Sequence, residues 1–395
     1  MNVLVTSRLY PSSACPSRGT FVHHQVRFLR EHCQVAVVCP TPWCPPLPGA
    51  GRWRTYGRVP AGETLDGVAI RYPRYLSLPR RWGYDTVWRR YLAALTRVAS
   101  PVPDLIHAHL AYPDGFAAVQ LGRRWHRPVV VSVHGHDVRE LPAVRPSWRQ
   151  LVSAALQGAD AVVVSSDDIR QRVLALGVAP QRLAYVPQGV DCALFRPAAP
   201  GRLPGADGWR LLYLGRLDAR KGLSELLAAA ALLRQAGRVF RLRLVGGSPV
   251  SGTGAEFARQ ARDLGLADVV DICGEVPWDQ VPAQVAQADV LVLPSHYDSF
   301  GIVLIEAMAC GVPVVATRCG GPEQLVPPEA GELVPVGDPP ALAAGLAAVL
   351  DRYSTFDRAA IRRHVEARYD YRALARRLCA VYQAVMAGTP VDSAT

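Results

Sequence analysis

Residues Leu211–Gly222, LLYLGRLDARKG, run into SELLAAAALL at Ser224–Leu233. An apolar run stopped by glycine, a short polar loop and a helix-forming run make one step of a parallel sheet wound by helices. Arg216 stands just past the strand end, and Lys221-Gly222 immediately precedes the helix. Two cations and a helix N-terminus around one small volume suit phosphate oxygens: Arg brings a planar fork, Lys a point charge on a flexible stem. The plainer alternative is a connecting loop with two solvated cations. Composition bears on the choice, because Lys221 is the single lysine among 44 Lys and Arg residues. A sequence that uses Arg everywhere else and keeps Lys here points to a geometry that Arg cannot meet.

Outward from this stretch the same alternation fills all 395 residues. Toward the N-terminus the strand-like runs are Asn2–Ser7, Val35–Cys39, Gly67–Tyr72, Asp104–His109, Val129–His134, Ala161–Ser165 and Leu183–Pro187. Toward the C-terminus they are Arg210–Leu214, Arg241–Val245, Val269–Gly274, Val290–Pro294, Val312–Thr317 and Gly331–Val334. Between the sets, Pro197–Gly208 (PAAPGRLPGADG) lacks periodicity and reads as a linker. Pro40–Arg58, with five prolines, reads as a loop. The expectation is an α/β protein of two doubly wound domains, 1–197 and 209–370, joined by 198–208. Ligands of such sheets bind at the carboxyl ends of strands.

Charge divides the chain as well. Residues 1–200 hold 24 Arg against 12 Asp and Glu, while 201–395 hold 20 Lys and Arg against 21, so the formal +11 arises in the first half. A basic half calls for an anionic partner or is simply a solubilising surface. From Arg52 to Arg97, Arg alternates with aromatics, as in Arg80-Arg81-Trp82 and Trp88-Arg89-Arg90-Tyr91. Such mixtures serve nucleic acid or an anionic membrane; no nucleic-acid module accompanies this one, so nucleic acid is not expected as a partner. Nine scattered cysteines without C-x-x-C fit a reducing compartment and neither a disulfide framework nor a zinc finger. The N-terminal run MNVLVTSRLYP predicts no secretory leader, and no uncharged apolar run reaches ~18 residues. The expectation is a cytoplasmic protein that works at the inner face of the cell membrane.

Three further groups carry chemistry. In Pro294–Gly311, PSHYDSFGIVLIEAMACG, a strand ends and Gly301 opens a helix. Asp298 lies in the loop and Glu306 eight positions on, bracketing the helix N-terminus. N–H groups at Phe300 and Gly301 can meet phosphate oxygens, and carboxylates accept sugar hydroxyls. Alternatively Asp298 caps the helix and Glu306 lies on the surface; a glycosidase pair is a further reading. In Thr317–Glu323 a Gly-Gly turn permits close backbone approach. His107 with His109, and His134 with His136 and Asp137, put i and i+2 on one strand face, the spacing of a metal chelate.

GRLDARKG, DSFGIVLIE with AMACGVPVVAT, and GGPEQLV together resemble the donor domain of glycosyltransferase family 4, retaining sugar-nucleotide enzymes of the GT-B fold. ADAVVVSS, LAYVPQGVDCALFRP, PDLIHAHLAYPDG, PVVVSVHGHD and SRGTFVHHQ extend the resemblance over nearly the whole chain. The resemblance implies two Rossmann-like domains facing across a cleft, acceptor on the N-terminal one and nucleotide on the C-terminal one, with a last helix near 371–387 returning to the first. It implies that Arg216 and Lys221 neutralise the departing diphosphate and Glu306 holds the ribose. Asp298, Phe300, Gly301 and Ile302 would address the transferred sugar and its phosphate. Gly19 and Gly215 would lie against the phosphates, Gly246 and Gly247 near the nucleotide, and Gly274, Glu275 and Val276 beside its base. His109 would sit by the reacting sugar, with His134, His136, Asp137, Arg80 and Arg81 on the acceptor side. The family usually has Glu where this chain has Asp298. The implied donor is a UDP- or GDP-sugar, without cofactor or metal, and the acceptor a glycan or lipid-linked hydroxyl, with peripheral contact between the basic N-terminal domain and an anionic membrane. The implied pathway is cell-surface polysaccharide or glycolipid assembly. Rival readings are another GT-B enzyme (a phosphorylase or sugar-nucleotide epimerase), a metal-dependent hydrolase using the histidine pairs, and a non-catalytic GT-B binding protein.

Overall fold

The computed structural model describes residues 1–44, 55–78, 81–98, 101–198, 205, 207–247 and 253–391. They form two compact units, Met1–Pro187 with Tyr371–Thr395, and Gln188–Asp370. The first holds an eight-stranded sheet in the order Leu183–Tyr185, Ala161–Val164, Val129–Ser132, Leu105–His109, Asn2–Thr6, Gln34–Val38, Val68–Arg71, Gly62–Leu65. All neighbours are parallel except the last pair. The second holds six parallel strands in the order Val270–Gly274, Phe240–Val245, Trp209–Leu214, Val290–Leu293, Val314–Thr317, Gly331–Val334.

Strand alternation builds each core on both faces of its sheet. Leu4, Ile106, Val129 and Val131 belong to one buried cluster and Val3, Val5, Leu105 and Val130 to another. In the second unit Leu212, Leu291 and Leu293 face one way, and Leu211, Tyr213, Val290 and Val292 the other. Helices supply matching stripes. Leu223–Gln235 buries Leu223, Leu226, Leu227, Ala230 and Leu233, the i, i+3, i+4, i+7 spacing of one helical face, each fully buried Leu contributing about 1.5–3 kcal/mol. The helix Tyr371–Met386 does the same with Tyr371, Leu374, Ala375, Leu378 and Tyr382. Its Tyr371 ring stacks on Phe28 at 5.3 Å, within the first unit.

In both sheets the first strand of the unit sits centrally, with its next strand on one side and a later one on the other. The order reverses between Asn2–Thr6 and Leu105–His109, and between Trp209–Leu214 and Val290–Leu293. In open α/β sheets, loops leaving the carboxyl ends at such a reversal diverge, and ligands bind in the crevice between them.

Every strand read from the sequence is present within two residues of its expected bounds. Three features differ. Gly62–Leu65 adds an antiparallel edge. Thr41–Trp43, inside the stretch read as loop, pairs with Arg74–Leu76; three residues are too few to show a period, and Pro42 is tolerable on an edge. The units also divide after Pro187 rather than Pro197. The Val190 N–H donates to the Tyr369 carbonyl at 2.8 Å, and Arg362 donates to the carbonyls of Cys192 and Phe195 at 2.7 and 2.9 Å, so these residues pack with the second unit. Residues 45–54 of the proline-rich stretch, and 199–204 and 206 of the expected linker, lie outside the described residues.

Candidate functional site

In the second unit the loops after Trp209–Leu214 and Val290–Leu293 are sewn together by backbone. The His296 N–H donates to the Arg220 carbonyl at 2.9 Å. Gly222 has φ +66°, and a Cβ there would lie 1.9 Å from the Pro294 oxygen, so both conformation and space demand glycine. Gly246 is equally constrained: a Cβ would stand 1.7 Å from the Gly215 oxygen, which lets two strand ends touch. Asp218 accepts the Arg220 N–H at 3.1 Å and pairs with the Arg216 guanidinium at 3.3 Å. Tyr213, buried beneath, donates to the Arg216 carbonyl at 2.7 Å. The Arg216 side chain is 55% exposed. Lys221 Nζ lies 2.8 Å from Asp298 Oδ2, each side chain 18% exposed.

The Asp298 backbone is locked on both sides: its N–H donates to the Cys319 carbonyl at 3.3 Å, and its carbonyl accepts the Gly321 N–H at 2.8 Å. This is the role of the Gly-Gly turn, since a Cβ on Gly321 would sit 2.3 Å from the Phe300 Cα. Asp298 Oδ1 accepts the Phe300 N–H at 3.3 Å. The Phe300 ring itself is core, edge-on to Tyr369 at 6.0 Å. Gly301, at φ +93°, opens the helix Ile302–Ala309, whose first N–H groups have no acceptor within the helix. Glu306 is 4% exposed, and burial pushes its carboxyl up to about 8, so it is protonated at neutral pH. Gly274 accepts the Gly246 N–H at 2.8 Å. Exposed Glu275 lies over Gly247, where a Cβ would be 2.9 Å from its Oε2. Val276 is half-buried.

The first unit places a different group at its own reversal. Gly19, at φ +67°, opens the helix Thr20–Leu29, and a Cβ there would lie 2.4 Å from the Leu9 carbonyl. His109 ends its strand, 1% exposed, with Nδ1 3.1 Å from His134 Nε2 and the two rings stacked. His107 joins Ser132 Oγ at 2.8 Å and Tyr382 Oη at 2.7 Å. Burial pushes His107 down to about 3, His134 to about 4 and His109 well below its ordinary value, so the rings are neutral. His109 Nε2 has no protein partner. Asp137, fully buried, accepts the N–H groups of His134 and Ala111 at 3.0 and 2.9 Å. His136 is at the surface, paired with Glu140 at 2.8 Å. The two histidine pairs therefore do not form chelates: His109 and His134 meet each other directly and His136 turns away. No cluster of three or more His, Cys, Asp or Glu among the described residues is placed to hold a metal ion. The Arg81 guanidinium lies over Trp148 at 5.4 Å, and Arg80 lies outside the described residues.

Comparison with known proteins adds to this geometry. The sequence profile of "Glycosyltransferase Family 4" matches residues 19–194 and that of "Glycosyl transferases group 1" residues 202–364. The D-inositol 3-phosphate glycosyltransferase of Kineococcus radiotolerans is 35% identical over 330 residues, 74% of this chain and 75% of that one. The chain belongs to glycosyltransferase family 4. A Bacillus subtilis protein whose name assigns it to teichuronic acid biosynthesis as a glycosyltransferase is 28% identical, with 82% and 83% of the two chains covered. Among solved structures, sucrose-phosphate synthase from Thermosynechococcus elongatus superposes with a TM-score of 0.80 at 24% identity, covering 98% and 99% of the chains. HepE of Anabaena in complex with UDP-glucose gives 0.73 at 18% identity, covering 97% and 100%. The fold is GT-B.

This family 4 glycosyltransferase thus gathers Gly215, Arg216, Lys221, Gly246, Gly247, Asp298 and Gly301 at one strand-order reversal, and Gly19, His109 and His134 at the other. Sequence reasoning missed Asp218, a cap that also holds Arg216, and the Tyr382–His107 bond, made across 275 residues. A signal existed for Asp218, an acidic residue two positions before the N–H it caps. None existed for Tyr382.

Proposed function

We propose that this glycosyltransferase moves a hexosyl group, with retention of anomeric configuration, from a UDP- or GDP-sugar to a hydroxyl of a glycan or lipid-linked acceptor, in cell-surface polysaccharide or glycolipid assembly. The observation that carries it is the juxtaposition of Arg216, Lys221 and the N-terminus of Ile302–Ala309 at the carboxyl ends of adjacent strands. These groups suit the charge that grows on a departing diphosphate, and backbone contacts fix beforehand the loops that carry them. Glu306, buried in the helix that starts there, has the chemistry to exchange hydrogen bonds with ribose hydroxyls. The solved complex of HepE with UDP-glucose supports the donor class, and the name of the Bacillus subtilis relative, which places it in teichuronic acid biosynthesis, supports the assembly pathway.

No protein nucleophile is assigned. The bond from the anomeric carbon to the phosphate oxygen breaks, the acceptor oxygen bonds to the same face, and the acceptor proton passes to the leaving phosphate. Arg216 and Lys221 take the place that a metal holds in other sugar transferases, so turnover is expected to survive EDTA. The acceptor reading extends to a membrane surface, supported by Trp82, 69% exposed beside Arg81. Co-sedimentation with anionic but not neutral vesicles tests that part. The central test is a panel of nucleotide sugars with glycan and lipid-linked acceptors, the product's anomeric configuration read by NMR. An inverted linkage would refute retention, and binding without turnover of any donor would favour a non-catalytic protein.

A further inference from the structure

We propose that Asp298 is a built-in counter-ion of Lys221, which the phosphates of an incoming ligand must displace from the lysine. This rests on the donor-site reading above. The 2.8 Å pair is more enclosed than those beside it: Arg216 and Arg220 face Asp218 at 3.3 and 3.7 Å with side chains 55% and 63% exposed, against 18% for both Lys221 and Asp298. Lys221 is therefore already neutralised before any phosphate arrives.

The partners differ in freedom. Asp298 has a short side chain whose second oxygen accepts the Phe300 N–H, on a backbone tied to Cys319 and Gly321. Lys221 has a four-carbon stem with three rotatable donors. When an anion enters, the lysine is the partner that swings, and the carboxylate stays behind. Asp298 then stands as a fixed negative charge beside the ligand's phosphates and draws the lysine back once they leave. Such a device weakens the grip on a product diphosphate, and it accounts for a lysine here where the rest of the chain uses Arg. An arginine would hold Asp298 through a planar fork and release it less readily.

Asparagine at 298 keeps the Phe300 N–H acceptor and removes only the charge, so Asp298→Asn separates this role from loop structure. Calorimetric titration with UDP, GDP and inorganic pyrophosphate, none of which carries a sugar, is the test. Asp298→Asn is expected to bind at least one of them about tenfold more tightly than wild type, about 1.4 kcal/mol. In a Lys221→Ala background the same substitution is expected to gain less than about threefold, because the competition is for the lysine. Wild-type binding with no gain in Asp298→Asn, or an equal gain without the lysine, overturns the counter-ion role alone and leaves the donor site standing. Absence of binding in every variant overturns the donor-site reading and this inference with it.

Discussion

At the strand ends of Gln188–Asp370 backbone contacts fix the loops that carry the charges: Arg216 is 55% exposed, yet its loop is pinned by Gly222 against Pro294 and by Gly246 against Gly215. At the strand ends of the first unit the reactive atoms are buried and neutral, and side chains fix one another: His109 on His134, His107 between Ser132 and Tyr382. One end presents cations, each facing a carboxylate, where the proposed donor's phosphates would bind. The other is a buried polar cluster in which His109 Nε2 has no hydrogen-bond partner. Substitutions at the first should act on charge, and at the second on proton position and packing.

The largest effect expected is on turnover. Arg216→Ala and Lys221→Ala should each lower kcat/KM about 10²–10³-fold, the range for removing one preorganised donor to a developing anion. Steady-state kinetics on the donor found by the panel checks this. Near wild-type values for both would erase the contrast between the units.

Next comes the backbone. Gly222→Ala combines a left-handed φ with a clash against a carbonyl, and Gly19→Ala does the same in the first unit. Each should cost about 3 kcal/mol or more in urea unfolding. Gly237, at φ +75° with nothing within 4 Å of a Cβ, is the control and should cost about 1 kcal/mol. Equal losses at all three would mean that close approach is not what these loops require.

The units should also respond to pH with opposite signs. Histidines whose pKa is lowered by folding bind fewer protons in the native state, so their contribution is lost as pH falls from 6.5 toward 4. Glu306, raised from 4.5 to about 8, binds more protons when folded, so stability is lost as pH rises across that window. Glu306→Gln should therefore gain of order 2 kcal/mol on wild type between pH 5 and pH 8. The penalty of His107→Asn should shrink between pH 7 and pH 5. Thermal melts across pH read both, and slopes of one sign would contradict the buried, neutral state assigned to one group.

Much of this was legible in the sequence because it is local. A strand ending at Gly215, cations at 216 and 221 and a helix after Gly222 all lie within one window, and the period of the apolar residues marks each element. What was not legible depends on distance along the chain. The Lys221–Asp298 pair spans 77 residues and the Tyr382–His107 bond 275, and no period or spacing encodes them. Burial was the other gap: Glu306 read as a surface residue in one alternative, because eight residues of IVLIEAMA are apolar nearly all round and give no polar face on which to place it.

The smallest effect separates two histidines that the sequence treats alike. His134 and His136 are two apart, and a strand would put them on one face, but the strand ends at Ser132 and the chain turns at Gly135, φ +103°, into the short helix His136–Arg139. Asp137 enforces the turn by accepting the N–H groups of His134 and Ala111. His136 is left with an exposed i, i+4 pair to Glu140, a contact that contributes about 0–0.5 kcal/mol. His136→Ala should leave stability within about 0.5 kcal/mol and kcat/KM within about twofold of wild type. His134→Ala removes the partner of His109 Nδ1 inside a buried cluster and should cost about 1–3 kcal/mol with a visible loss of rate. A substantial loss on His136→Ala would place that side chain in contact with substrate and return it to the acceptor side, where the family resemblance had put it.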